Sequence, residues 1–192
     1  MIKITQCVLV PAILACLVLC GCGGSDPVNY SAPIALNLKA KSDDVVANAI
    51  RAEKGINTEI GNPFGAFITE ARKQLGNVDP TRVEIDSVEL LLAADSKGVT
   101  TLEQVFTGKV ELLFEMGESK NSYPVAELTD PTGGAPVTFT KSFKYSDLAP
   151  QDLSPFLNGS FKVVIRGTAV AGFTVKGLEA SLQITLTFNA YE

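Results

Sequence analysis

Residues 178–189 have the sequence LEASLQITLTFN, in which apolar and polar side chains alternate without interruption. Successive side chains of a strand point to opposite faces of a sheet. The apolar set on one face is Leu178, Ala180, Leu182, Ile184, Leu186 and Phe188. The polar set on the other is Glu179, Ser181, Gln183, Thr185, Thr187 and Asn189. The pattern predicts a long strand with one face in a core and the other in solvent.

The same two-residue pattern occurs in several other segments that are separated by turn-forming residues. Strands are predicted over residues 34–38, 83–92, 110–116, 123–128, 137–145 and 161–167. Within 83–92 the apolar positions change parity after Ile85, which predicts a β-bulge near Asp86 and Ser87. Residues 43–59 fit either an amphipathic turn or a strand, and in both cases the element is predicted to end at Gly55.

One amphipathic helix is predicted near residues 62–75. Asn62 is placed to cap its first turn, and Pro63 occupies the first helical position, where its missing N–H is not needed. Its apolar face consists of Phe64, Phe67, Ile68, Ala71 and Leu75. Gly76 ends the helix in the left-handed conformation. We expect this helix to cover the end or edge of a sheet. Shorter helical turns are predicted at 101–106 and 152–157.

These elements predict a mainly β fold, an antiparallel β-sandwich of the Ig-like type with one helix. Strands and helices do not alternate, so a doubly wound fold is disfavoured. A barrel-like sheet with the helix as a lid is the alternative. The size suits a single domain over residues 32–192.

The composition excludes several classes of chemistry. The chain has no His and no Trp, so it lacks a Ser-His-Asp triad, a Cys-His pair and histidine metal ligands. It has 16 Lys and Arg against 21 Asp and Glu, a net charge of −5 that disfavours binding to nucleic acid. We expect no catalytic residue, no metal site and no cofactor.

Two groups of oxygen-bearing side chains are candidate sites. Glu84, Asp86 and Glu89 could supply the carboxylate pair of a glycosidase, although a solvated strand face explains them more simply. Asp95 with Ser96, and residues 130–134, are too sparse in spaced oxygen ligands for a calcium loop. We expect both of these segments to be ordinary turns.

The N-terminal segment has the pattern of a secretory signal. Residues 1–21 carry one charged side chain, Lys3, before an apolar run from Cys7 to Leu19. That run is shorter than the roughly 20 residues of a membrane-spanning helix. Residues 22–31 begin with small and polar residues, and we expect them to form a short flexible tether.

Leu19-Cys20-Gly21-Cys22 resembles the bacterial lipobox. The resemblance implies cleavage between Gly21 and Cys22, diacylglycerol on the Cys22 thiol and acylation of the new amino group. Cys20 is the rival acceptor, but the bulky Leu19 before it departs from the family pattern. Cleavage would remove every cysteine except Cys22, so no disulfide is expected. Gly23, in place of Asp, resembles the sorting signal of outer-membrane lipoproteins.

The order of elements also resembles β-sandwich lipoproteins of bacterial cell envelopes. We therefore expect an exported protein with a lipid anchor in a membrane, the outer membrane if the cell is Gram-negative. Its domain would act without catalysis, in binding or in a structural role, with an envelope protein or a glycan as partner. A carrier or chaperone for a hydrophobic ligand beneath the helix is one alternative. A carbohydrate-active enzyme with paired carboxylates is the other.

Overall fold

Alternating apolar side chains bring the strands together in two layers in the computed structural model, which describes residues 30–192. The strands are β1 (Tyr30–Lys41), β2 (Ala49–Gly55), β3 (Arg82–Leu92), β4 (Phe106–Met116), β5 (Ser122–Thr129), β6 (Val137–Thr138), β7 (Thr140–Lys141), β8 (Phe161–Ala169) and β9 (Glu179–Tyr191). Sheet A has the order β1-β9-β3-β6, and sheet B has the order β2-β8-β4-β5-β7. Neighbouring strands are antiparallel throughout. The protein is therefore a β-sandwich, and the described strands do not close into one barrel.

Strand β9 is the centre of sheet A. It pairs with β1 from Tyr30↔Ala190 to Lys41↔Glu179, and with β3 on its other side. Its even-numbered residues from Ala180 to Ala190 are buried in the core between the sheets. The strand predicted from residues 178–189 is confirmed. Strand β1 begins at Tyr30, so the last two residues assigned to the tether belong to the sheet.

The predicted β-bulge is also confirmed. The register of β3 against β9 shifts between Ile85 and Ser87, which leaves Asp86 as the extra residue. Val83 and Ile85 before the shift, and Val88 after it, are all buried. The bulge thus keeps apolar residues of both parities on the core side of one strand.

The prediction of one strand over residues 137–145 is wrong. Residues of β6 pair with Glu89 and Leu90 of sheet A, whereas residues of β7 pair with sheet B. Between them Phe139 is buried, and its N–H donates to the Val88 carbonyl at 2.9 Å. The chain crosses between the sheets here, and Tyr145–Asp147 then form a 3-10 turn. Side chains still alternate along residues 137–141, although β6 pairs with sheet A and β7 with sheet B.

Helix α1 spans Pro63–Gln74 and has the predicted caps. The Asn62 side chain accepts a hydrogen bond from the Gly65 N–H at 3.0 Å. Gly76 has a φ of 70°, and the N–H groups of Gly76 and Asn77 donate to the carbonyls of Lys73 and Arg72. These bonds form a Schellman motif. The helix crosses the end of the sandwich at which β1 begins, named the α1 end below.

Aromatic rings fill the space between α1 and the sheets. The Phe64 ring lies 5.3 Å from those of Phe161 and Phe188, and 5.7 Å from that of Phe156. Phe156 belongs to a second helix, α2 (Pro150–Leu157), for which only a short turn at 152–157 had been predicted. The core directly beneath Phe64 is therefore solid.

The remaining segments connect the sheets by short turns. The ambiguous residues 43–59 contain β2, ending at Gly55, and a 3-10 turn at Ile56–Thr58. The helical turn predicted at 101–106 is confirmed as Leu102–Gln104, with a capping box from Thr101. Over residues 30–192, neither helix combines the length and the hydropathy that crossing a bilayer requires.

Candidate binding face

The outward side of sheet A is nearly free of charge at its centre. Because Ile34, Leu36 and Leu38 of β1 are buried, the residues between them point away from the core. Strand pairing aligns these residues with outward residues of β9 and β3 in three successive rows. We name this block the neutral face; its rows are Pro33–Thr187–Ser87, Ala35–Thr185–Glu89 and Asn37–Gln183–Leu91.

The neutral face offers hydrogen-bonding groups on the outer surface of sheet A. Hydroxyls come from its Thr and Ser side chains, carboxamides from Asn37 and Gln183, and its one charge is the exposed Glu89. Its rows and strands span roughly 13 Å by 10 Å between outer backbone positions, from ordinary strand dimensions. The Ser87 hydroxyl donates to Thr187 Oγ1 at 2.9 Å, which orients both groups within the face.

Charged side chains border the neutral face at both ends and are engaged there. Lys39 Nζ donates to Glu179 Oε1 at 2.8 Å. This hydrogen bond, with the positive charges of Lys39, Lys97 and Lys41, holds the pKa of Glu179 below its ordinary value. At the other border the Arg82 guanidinium lies 4.1 Å from the ring centre of Tyr191. The uncharged surface is therefore limited to the middle rows.

The outward side of sheet B has the opposite character, and we name it the charged face. It consists of Arg51, Glu53, Lys109, Glu111, Glu115, Glu127, Lys162 and Arg166. Arg51 bonds to Glu53 at 2.6 Å and to Glu115 at 2.8 Å. Lys109 pairs with Glu111 at 3.0 Å and with Glu127 at 2.7 Å. Arg166 pairs with Glu111 at 2.7 Å, and Lys162 with Glu53.

The ion pairs of the charged face cover two apolar residues. Val164 and Leu113 alternate with the core residues of β8 and β4 and so face outward, yet they are 0% and 3% exposed. The bond from Arg51 on β2 to Glu115 on β4 passes over β8, which lies between them. Long charged side chains bury their stems on apolar surface in this way. The charged face is thus already packed and paired within the domain.

Hydrogen bonding shifts the pKa values of carboxyls on the charged face. The hydrogen bond from Lys162 holds the pKa of Glu53 below its ordinary value, against the smaller effect of burial. Hydrogen bonds from Arg166 and Lys109 lower the pKa of Glu111 in the same manner. Both groups therefore favour the ionised form in the folded protein.

Asp152 on α2 is the one buried acid among residues 30–192, at 1% exposed. It accepts hydrogen bonds from Tyr123 Oη at 2.6 Å and from Asn121 Nδ2 at 2.7 Å. Burial favours protonation, but bonds from Ser119, Tyr123 and Asn121 outweigh it and lower the pKa of Asp152. Tyr123 Oη also accepts from the Ala149 N–H at 3.0 Å. This cluster joins the β4–β5 turn to α2, and no sequence pattern had indicated it.

The three carboxylates that could supply a catalytic pair, Glu84, Asp86 and Glu89, have separate surroundings. Glu84 lies 3.4 Å from Arg82 Nε, and Asp86 lies 3.9 Å from Lys141 Nζ. Glu89 is exposed on the neutral face, and none of the three is buried. Gly21 and Cys22, the predicted cleavage and lipidation residues, lie outside the described residues.

The oxygen-bearing turns have local roles. Asp130 Oδ1 accepts from the Gly108 N–H at 2.6 Å and ties its loop to β4. Ser96 Oγ donates to the Ala93 carbonyl at 2.7 Å. In the part of the chain that the structure describes, no three His, Cys, Asp or Glu side chains are grouped as metal ligands.

A scan of protein-family models and a search of curated proteins both find no match to the chain.

Proposed function

We propose that the protein is a lipid-anchored cell-envelope protein whose β-sandwich acts without catalysis, as a binding or structural module, and that its partner docks on the neutral face. One observation carries the proposal: the two outward sheet faces differ in charge. The neutral face has a single charged residue, Glu89, in its three rows. The charged face is covered by a network of ion pairs.

The physics of interfaces favours the neutral face as the docking surface. The centres of protein interfaces are depleted of charged residues. A partner that covered the charged face would remove water from Arg51, Glu111 and the other paired groups, and such desolvation opposes the Coulombic gain. A partner on the neutral face would desolvate only Glu89 within the three rows and Glu59 at their border, where Glu59 Oε1 accepts from the Asn37 N–H at 3.3 Å, while the Thr, Ser, Asn and Gln groups supply hydrogen bonds.

The membrane anchor is proposed from the lipobox and from the position of β1. Cys22 precedes Tyr30, the first residue of β1, by eight residues. Each buried methylene of an acyl chain contributes about 0.8 kcal/mol, and more than one chain is needed for stable attachment. Three acyl chains on Cys22 would hold the domain close to the bilayer.

The proposed role is non-catalytic because the buried acid and the paired carboxylates of the charged face already serve the fold. The buried Asp152 receives hydrogen bonds from Tyr123 and Asn121. Glu53 and Glu111 lie in ion pairs on the surface. A ligand cavity under α1 is not part of the proposal, since rings pack against Phe64 there.

Docking is tested by site-specific photo-crosslinking in intact envelope membranes. A crosslinking residue at Asn37, on the neutral face, should form a product of defined mass. Thr185→Lys, which places a cation in the middle row, should abolish that product. Thr168→Lys is the matched control, because Thr168 is an exposed outward residue of β8 in sheet B. Equal products in both variants, or no product from Asn37, would contradict docking on the neutral face.

The anchor is tested by intact mass and by fragmentation of the N-terminal peptide of membrane-extracted protein. We expect a triacylated Cys22 at the N-terminus, and Cys22→Ala should leave a form that no longer partitions into detergent. If Cys22→Ala still carries lipid while Cys20→Ala does not, the proposed acceptor is wrong.

A further inference from the structure

We infer that the partner on the neutral face is a second copy of this chain, packed face to face with its strands reversed. The inference rests on the proposed function and names the partner of that same face. It commits to a symmetric dimer whose twofold axis crosses the strands near Thr185.

The outward side of sheet A carries a group of lysines where β1 stops. Lys41 and Lys97 lie on either side of Glu179, in a row beyond the neutral face. Lys39 adds a third cation, and its Nζ lies 2.8 Å from Glu179 Oε1. Lys97 Nζ lies 4.0 Å from the same carboxylate, and its side chain is 69% exposed. Three cations thus surround one carboxylate, and we name this border the lysine end.

The α1 end of the same surface carries carboxylates on β3. Glu84 lies opposite Asn189 of β9, and Asp86 is the bulge residue that follows it. Their side chains are 42% and 59% exposed. Arg82 Nε lies 3.4 Å from Glu84, and Lys141 Nζ lies 3.9 Å from Asp86. Neither carboxylate is therefore held by a cation as closely as the carboxylate of the lysine end.

A twofold axis across the strands brings these two ends together. Stacked sheets keep their strand directions within about 30° of each other, so two copies pack either parallel or reversed. Parallel packing would place one lysine end on the other. Reversal places the lysine end of each copy over the α1 end of its partner, so that Lys97 approaches Glu84 of the partner subunit. Complementary charges at the border of an interface fix its orientation in this way.

The centre of the neutral face can bond to an identical face. Hydroxyls and carboxamides both donate and accept hydrogen bonds, so Thr185 and Gln183 can each find a partner on a second copy. The small Ala35 and Ser87 allow the sheets to approach to about 10 Å, the ordinary spacing of packed sheets. Glu89 lies at the β3 margin of the middle row, next to β6. The centre is thus nearly neutral and the border charged, as in other protein interfaces.

The area of this surface is sufficient for a specific interface. The six rows from Glu84 to Lys97 span roughly 34 Å by 10 Å between outer backbone positions. Adding the width of one strand and one row gives roughly 40 Å by 15 Å, or about 600 Å² for each copy. A dimer would bury about 1,200 Å² in total, which is the lower limit for stable protein complexes.

The reversed arrangement is compatible with the proposed lipid anchors. The axis places the β1 strands of the two copies over one another. Strand β1 is the edge of sheet A, and the chain from Cys22 enters it at Tyr30. Both chains therefore enter the dimer at the same edge, so that both lipid groups can insert into one bilayer.

The test is photo-crosslinking of the full chain in envelope membranes, with two copies that carry different affinity tags. A crosslinking residue at Asn37 should give a product that has twice the mass of the protein and carries both tags. Glu84→Lys and Lys97→Glu should each reduce this product about tenfold, because each opposes like charges at two symmetric contacts. The matched controls, Glu118→Lys and Lys120→Glu, lie exposed in the β4–β5 turn and should retain it.

A mixture of the two reversed variants makes the test specific to this dimer. A Glu84→Lys copy and a Lys97→Glu copy should crosslink to each other about as well as two unaltered copies. Both contacts of the mixed pair then join opposite charges, whereas each variant alone opposes like charges. A variant that failed to fold would not be restored by mixing.

Other outcomes overturn the inference in distinguishable ways. A product that contains another protein refutes the second copy, while docking on the neutral face stands. A product with both tags that survives both charge reversals refutes the reversed arrangement, and so does a mixture that does not restore the product. The absence of any product from Asn37 overturns both the proposed docking and the dimer.

Discussion

The outward faces of the two sheets are built by the same strand alternation yet have opposite chemistry. On sheet B, carboxylates and cations pair across strands, as between Glu53 and Lys162, and cover Val164 and Leu113. On sheet A, rows of small and uncharged side chains surround Thr185. The difference teaches that the charges of sheet B are matched within the domain, whereas the rows of sheet A carry few charges to match, which is why we propose them as the docking surface.

The largest expected difference concerns apolar burial on the two outward faces. Leu113→Ala should lower the free energy of unfolding by about 2–4 kcal/mol, because it removes buried methyl groups and leaves a cavity under the ion pairs. Thr185→Ala on the neutral face should change it by about 0.5 kcal/mol or less. Urea unfolding of the soluble domain measures both. Equal losses of unfolding free energy in the two variants would mean that the two outward faces do not differ in apolar burial.

Much of the fold could be predicted from the sequence where one signal dominated. The alternation of residues 178–189 identified β9, the parity change after Ile85 located the bulge, and Asn62 with Gly76 set the limits of α1. Each of these signals is local, since neighbouring residues carry it. The prediction for residues 137–145 was wrong because alternation does not show which sheet a strand joins.

The two outward faces were less predictable, because each joins distant parts of the chain. The row of Ala35, Thr185 and Glu89 forms only through pairing of β1, β9 and β3. Val164 has the parity of a solvent-facing residue in β8, and it is buried because charged side chains of β2 and β4 meet over β8. The buried Asp152 likewise finds Asn121 and Tyr123 across a turn. Pairwise contacts of this kind leave no periodic signal.

A second prediction concerns acid pH and the charged face. The folded pKa of Glu111 lies below its ordinary value of 4.5. Its ion pairs therefore contribute stability above the unfolded pKa, and this contribution is lost as the pH falls through the lower folded pKa. We expect the free energy of unfolding to decline as the pH drops below about 5, and Glu111→Gln to remove about 1 kcal/mol of that decline, a modest amount since water screens the pair.

Urea unfolding of both proteins between neutral and acid pH measures this effect. Asp152, whose pKa is also lowered, should leave a residual acid dependence in the Glu111→Gln variant. If Glu111→Gln has the same acid dependence as the unaltered protein, the ion pairs of Glu111 with Lys109 and Arg166 do not stabilise the fold.

The smallest expected effect lies within the neutral face, at the hydrogen bond from Ser87 to Thr187. Ser87→Ala should lower the free energy of unfolding by about 0.5 kcal/mol, near the lower limit for one hydrogen bond, because both groups are only half-buried. A double-mutant cycle with Thr187→Val isolates the pair from the loss of each side chain.

The same variants should retain the crosslink from Asn37, since they remove a hydroxyl without adding charge. A coupling energy of zero would mean that the hydroxyls of the neutral face do not fix one another. Loss of the crosslink with unchanged stability would instead place Ser87 in direct contact with the partner, which would sharpen the contrast with the charged face.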